Sequence, residues 1–219
     1  MELREGITTT GTVRRYRNQS VDRQVVVDVL NDARFAPSGG NRQPWRVAIV
    51  EDGAIRHGIA ESIRPIWDEY IAASAEGQTP FNPIDYVEPA QIPAGAPSDL
   101  LDQIDTIPVV LAIAADLRHV ALMDGDLDRP SLTGGASIYP FCWNILLAAR
   151  SRGLGGVLTT FLSRDEPMAR ELLGLREHHA LAAVLFIGVP EHQPTKLSRR
   201  DAVTFTTVDR FDAVTLERG

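Results

Sequence analysis

The sequence predicts an α+β fold, and three observations carry the prediction. Two nearly all-apolar runs, 108–116 (PVVLAIAAD) and 181–189 (LAAVLFIGV), have the composition of strands buried on both faces. Between them, 138–149 is apolar on most sides and reads as a central buried helix, with Gly153 as its stop. Strands and helices also follow one another without the regular βαβ rhythm of a doubly wound sheet.

The remaining elements follow in order along the chain. Asp22 caps a helix over about 23–36, because Val25, Val26, Val29, Leu30 and Ala33 keep the spacing of one buried face, and Pro37 ends it. Residues 45–51 (WRVAIVE) have strand composition, Asp52-Gly53 marks a turn, and a second helix is expected over about 54–75. The stretch 76–98 holds five prolines and two glycines, which exclude long regular structure. Residues 76–102 are therefore read as an irregular lid or arm within a single domain spanning 1–219, although a plain mobile loop fits the composition too. A short strand is predicted over 156–162 (GVLTTFL), then a helix begun by Asp165 and Pro167 and closed by Gly174, and a β-prone 203–208 (VTFTTV).

Composition removes several function classes. The net charge of -7 and the lack of a dense Lys/Arg block disfavour nucleic-acid binding. Cys142 is the single cysteine, so no internal disulfide or thiol pair is available. The start MELREGITTTGT has no signal-peptide core and no apolar run reaches the ~20 residues that span a bilayer, so a soluble, cytoplasmic protein without a membrane partner is expected.

Familiar catalytic patterns are missing. His57, His119, His178, His179 and His192 form no metal-binding spacing, and His178 and His179 read as ordinary loop residues with no further ligands nearby, so no metal site is expected. Ser38 lacks a nucleophile elbow, and neither a P-loop nor a Gly-x-Gly-x-x-Gly turn is present. What remains is APSGGN, where Gly39 and Gly40 let backbone N–H groups face a ligand and Ser38 and Asn41 add side-chain hydrogen bonds. A plain helix-to-strand turn explains the same residues. Arg14, Arg15 and Arg17 near the start, with Lys196, Arg199 and Arg200 near the end, can hold one phosphate if the fold brings them together; taken singly, each cluster is solvated surface.

Together these segments resemble the FMN-dependent nitroreductase-like flavoproteins. The resemblance is carried by GTVRRYRNQSVDRQVVVDVLNDARFAPSGGNRQPWRVAIVED, by GGASIYPFCWNILLAARSRGLGGVLTTFL, and more weakly by TKLSRRDAVTFTTVDRF. It implies a nitroreductase-like fold, a central mixed β-sheet flanked by helices, in an interlocked homodimer with FMN sites at the interface built from both chains. By position, Arg14 would meet the FMN phosphate or ribityl chain with Thr12 nearby, and Pro37, Ser38, Gly39 and Asn41 would line the flavin. Leu158, Thr159 and Thr160 would approach the isoalloxazine ring, Arg199 or Arg200 would meet the phosphate, and Gln43, Pro44 and Trp45 would shape the loop. The chain departs from many relatives at Thr10, Gly11 and Thr12, where basic residues and a Ser are usual, and Asn144 has no clear reading.

The resemblance also implies an activity. NAD(P)H reduces the flavin and leaves, and a nitroaromatic, quinone or similar small aromatic acceptor takes its place, which gives ping-pong kinetics. No catalytic side chain is required, since the chemistry is the cofactor's; backbone N–H groups near Thr159 and Thr160 would stabilise the anionic reduced ring. Alternatives on the same fold are reductive dehalogenation, oxygen-dependent flavin fragmentation, or a flavin-binding or sequestering protein with little turnover. Trp67, Tyr70, Phe81 and Tyr86 can roof the site or pack a dimer interface.

Overall fold

The structure, a computed structural model, describes residues 1–216. Its sheet is built on β2 (Val109–Asp116), which is buried along its whole length as its composition predicts. With β1 (Trp45–Ile49), β3 (Gly155–Thr159) and β4 (His179–Gly188) it forms one sheet in the order β1-β2-β4-β3. All three ladders are antiparallel, so the mixed character implied by the resemblance is confined to one parallel bridge, Thr12 to Gly156, at the outer edge of β3.

Alternation along β2 divides the core into two layers. Val109, Leu111, Ile113 and Ala115 face α2 (Arg23–Ala33) and α4 (Tyr139–Ser151), which supply Val26, Val29, Phe141 and Ile145. Val110 and Ala112 face α3 (Gly53–Ala75) and α5 (Glu166–Leu173), which supply Ile59, Ile63 and Ala169. Each such fully buried large side chain contributes roughly 1.5–3 kcal/mol. The register of β2 on β4 shifts between Ile113 and Ala114 so that Ala182 is skipped, and the extra residue puts Leu181 on the same face as Val184.

Several element ends differ from expectation for local reasons. Asp22 caps α2 through Gln24 N at 2.6 Å, but the helix stops at Ala33, where Ala36 N turns back to Ala33 O before Pro37. Asp52-Gly53 is a helix start and not a separate turn, because Asp52 accepts from Ile55 N at 3.0 Å. β3 ends at Thr159, and Phe161–Asp165 winds into a 3-10 turn that buries Leu162. Asp165 and Gly174 delimit α5 as predicted, Gly174 with φ 63°. The 203–208 run forms a 3-10 turn over Ala202–Phe205 and a single bridge, Thr207 to Thr215.

Two features had no forecast. A short helix, α1 (Leu3–Thr9), precedes the Thr12 bridge. The long link from β2 to α4 is organised by Asp124, whose buried carboxylate accepts from Arg129, Ser131 Oγ, Leu132 N, Thr133 N and Thr133 Oγ1. The 76–102 stretch is irregular as expected, yet its end is tied to α3: Asp68 accepts from Gly95 N and Ala96 N, and Arg64 reaches Asp102 at 2.6 Å. Among the described residues, no helix is long and apolar enough to cross a membrane.

Candidate functional site

A cavity of about 680 Å³ opens where β3 ends, between α3 and the 97–102 segment. Arg14, Leu158, Thr159 and Thr160 line it, with Ile63, Trp67 and Tyr70 of α3 as its apolar wall. Arg14 is delivered by a strap of chain laid along β3. Val13 N donates to Gly156 O at 3.0 Å, and the Tyr16 hydroxyl sits 2.7 Å from Val13 O and 2.9 Å from Phe186 O, sharing one proton between them. Burial raises the Tyr16 pKa far above that of a free phenol, so this donor stays protonated. The strap can lie this close because residue 155 is glycine: a Cβ there would stand 2.7 Å from Val13 Cγ2.

With Val13 and Tyr16 turned inward, Arg14 is left in the cavity with no ion pair or side-chain hydrogen bond among the described residues. Arg15 turns to Asp99 at 3.0 Å, and Thr12 is exposed on the bridge to Gly156 beside the cavity. Trp67 stacks on Tyr70 at 5.8 Å, and both meet the edge of Phe161. Phe81 and Tyr86 pack behind Tyr70 and do not line the cavity, so only two of the four aromatic residues are placed to roof it.

The 37–43 loop borders a different cavity, of about 280 Å³, which Pro37, Ser38 and Gly39 share with Arg42, His119 and Ser137. The loop is held by Gly39 N donating to Ser137 Oγ at 3.0 Å and Gln43 N donating to Ser38 Oγ at 3.1 Å. Gly40, Asn41 and Gln43 have φ of 59°, 53° and 48°, with Arg42 at φ -77° between the last two; left-handed backbone costs of order 1–3 kcal/mol at each non-glycine residue and marks a constrained loop. Pro44 is buried and Trp45 stacks on Phe141 at 4.6 Å, so these two residues shape the scaffold. Asn41 is exposed and accepts from the Gln43 amide without lining the cavity.

The expected site residues are thus divided within one chain. Arg14 and 158–160 lie at the β3 edge of the sheet, whereas the 37–41 loop precedes β1, the strand at the other edge. Arg199 and Arg200 line neither cavity; both are exposed, and Arg199 donates to its neighbour Ser198 O. Cys142 is fully buried and its thiol is pushed up to about 12, which makes it inert.

One cluster corrects the expectation that His178 and His179 have no ligands near them. The β2–β4 register sets Asp116 opposite His179, and one ligand atom from each of Asp116, His178 and His179 lies within 4.8 Å of the others. Both oxygens of the buried Asp116 carboxylate are already occupied, by Arg118 Nε at 2.9 Å and Arg118 Nη2 at 2.8 Å, and by Arg46 at 3.0 Å. The Arg118 guanidinium holds the Asp116 pKa well below the usual carboxylate range against the opposing effect of burial. Burial and the neighbouring His178 lower the His179 pKa. Strand pairing makes this cluster, and no local pattern announces it.

Comparison with known proteins agrees with this architecture. The family model described as Nitroreductase family matches residues 7–189. The chain is 28% identical over 216 residues to the nitrobenzene nitroreductase of Ectopseudomonas oleovorans, covering 89% of this chain and 91% of the relative. It is 30% identical over 193 residues to the 5,6-dimethylbenzimidazole synthase of Rhodospirillum rubrum, covering 85% and 82%. The solved structure of the NADPH:FMN oxidoreductase from Vibrio harveyi, complexed with NAD+, has a TM-score of 0.69 at 19% identity over 96% of this chain and 78% of that one. With the match running from within α1 past the end of β4, this chain belongs to the nitroreductase family, a family of oxidoreductases.

Proposed function

We propose that the protein is an FMN-dependent oxidoreductase that draws electrons from NAD(P)H and passes them to nitroaromatic, quinone or similar small acceptors in ping-pong fashion. The observation that carries this reading is the unpaired Arg14 guanidinium at the cavity where β3 ends. Its volume of about 680 Å³ is that of a small-molecule or cofactor pocket. The residues present fit FMN: Arg14 offers a forked donor to a phosphate, and Ile63, Trp67 and Leu158 offer apolar surface to a planar ring. FMN, when bound, supplies the hydride and electron chemistry. The chain's own residues bind and orient: Tyr16 fixes the strap that presents Arg14, and the Thr159 and Thr160 amides are the donors this reading assigns to negative charge on the ring.

The division of the site between two edges of the sheet favours a homodimer, in which a second copy brings its Ser38, Gly39 and Asn41 to the β3 cavity. Exposed apolar residues in the tail, Phe205, Phe211 and Val214, are surface that such a partner would cover, and Arg199 and Arg200 lie just before them. The reading is tested by incubating purified protein with FMN and mixing it anaerobically with NADH or NADPH. Retained flavin absorbance and rapid bleaching are expected; a protein that takes up no FMN overturns the proposal, and one that binds FMN but never bleaches is a flavin carrier.

A further inference from the structure

We propose that Arg164 latches residues 79–88 onto α3, and that releasing this latch frees Tyr70 and opens the aromatic wall of the cavity where β3 ends. What passes the wall rests on the flavoenzyme reading; the latch rests on side-chain contacts alone.

Residues 79–88 are tethered at few points. Among the described residues, their hydrogen bonds to the rest of the chain are two: Val87 N donates to Gln78 Oε1 at the base of the arm, and the Tyr86 hydroxyl donates to Glu69 Oε1 of α3 at 2.5 Å. Arg164, on the 3-10 turn that follows Thr160, closes over this contact. Its guanidinium carbon lies 4.0 Å from the centroid of the Phe81 ring, and its Nη2 stands 3.9 Å from the same Glu69 oxygen that holds Tyr86. One side chain thus ties the arm, α3 and the turn after β3 together. Ile84 and Val87 are exposed and add little packing. Phe81 has a φ of 60°, a left-handed backbone that a bulky residue rarely adopts. Its seat under Arg164 carries a backbone cost that the contacts offset, so the arm is kept there by the latch rather than by its own conformation.

Tyr70 is where the latch meets the cavity. Trp67, Tyr70 and Phe161 all line it, but they are not held alike. Trp67 is fixed, because its indole N–H donates to Pro97 O at 3.1 Å. The Tyr70 hydroxyl makes no hydrogen bond to a described residue, so neighbouring rings place it: Trp67 at 5.8 Å and Phe161 at 5.3 Å within the lining, and Phe81 at 6.3 Å behind. When Phe81 leaves, Tyr70 loses the ring that backs it and gains the space the arm had filled. A cavity that takes two ligands in turn needs such a passage, since one must leave before the next arrives. Arg164 does not line the cavity and acts as a positioning residue, through Phe81 and Tyr70.

The test compares the wild type with Arg164→Ala, Arg164→Lys and Phe81→Leu. Arg164 is exposed, so its variants are expected to fold. In protein without flavin, chymotrypsin cuts after Phe81 or Tyr86 when the arm lifts. Arg164→Ala should be cut there several-fold faster, and Arg164→Lys, which keeps a cation for the ring, should fall in between. In stopped-flow mixing with FMN, a gate changes association and dissociation together. Arg164→Ala should therefore raise both rates several-fold and leave the Kd within about twofold of the wild type. Phe81→Leu should do the same, and adding Arg164→Ala to it should change nothing more. Unchanged cutting at Phe81 and Tyr86 overturns the latch. Unchanged exchange rates, or faster dissociation with association unaltered, overturn its link to the cavity, the second because it marks a residue that only supports bound ligand. Failure of the flavin reading leaves a different signature: the protein takes up no FMN, and the cutting rates still decide the latch.

Discussion

The amide of Gly39 donates to Ser137 Oγ at 3.0 Å, joining residues 98 positions apart. This bond ties the loop that follows α2 to the residues that lead into α4. Ser137→Ala removes the acceptor and leaves the Gly39 amide without its partner, so a loss of about 1 kcal/mol is expected in urea unfolding. The loss stays near that value because Gly39 is exposed and water replaces the missing oxygen. A change several times larger would mean that the serine holds more than this loop.

Arg14 is predicted to carry much of the FMN affinity. Arg14→Ala should raise the FMN Kd roughly tenfold or more, the loss expected for a charge-assisted bond to phosphate. Tyr16→Phe keeps the ring but loses the hydroxyl that spans Val13 O and Phe186 O, so it should weaken FMN less and also cost about 1 kcal/mol of stability. Flavin fluorescence titration reads both variants. Unchanged affinity in Arg14→Ala removes the phosphate assignment.

What the sequence made legible was encoded locally. Asp22, Asp165, Gly153 and Gly174 bound helices by short-range geometry, and the composition of β2 follows from burial on both faces. Asp52-Gly53 misled because an aspartate that favours a turn is equally a helix cap. Phe161 and Leu162 have strand propensity, yet Leu162 reaches the core only because the chain turns after Thr159. Arg14, the 37–41 loop and 158–160 stand out in the sequence as candidates; their separation into two cavities does not, since it depends on strand order. Asp116 and His179 meet through the β2–β4 register, a long-range fact with no local signature.

Arg56 should prove structural. It is 9% exposed, and its guanidinium donates to Val50 O, Ile104 O and Ile107 O, carbonyls at the end of the β1 segment and in the approach to β2. Arg56→Ala strips donors from these buried carbonyls, and a destabilisation of about 2–3 kcal/mol is expected in urea unfolding. FMN affinity per folded molecule should hold, because Arg56 lines neither cavity.

Homodimer formation is tested at the tail. Phe211 is fully exposed and Val214 is 85% exposed, an apolar pair that an isolated chain leaves in water. Phe211→Asp puts a charge where a partner would bury a ring, so light scattering during gel filtration should find a dimer for the wild type and a shift toward monomer for the variant. If the tail lies outside the interface, the two proteins elute with the same mass.

Asp116 makes the fold sensitive to acid in a defined direction. Its carboxylate is buried, and the Arg118 and Arg46 guanidiniums hold its folded pKa below the ordinary value of about 3.9 for an unfolded aspartate. A carboxylate depressed on folding contributes stability that is fully present above the unfolded pKa and is lost as pH falls toward the folded value. Asp116→Asn keeps the shape but leaves Arg46 and Arg118 beside each other without the anion between them. The variant should therefore melt several degrees below the wild type at pH 5 to 7, and the gap should narrow as the pH is lowered beneath about 4. A gap that stays constant through the acid range would show that Asp116 stabilises by packing alone.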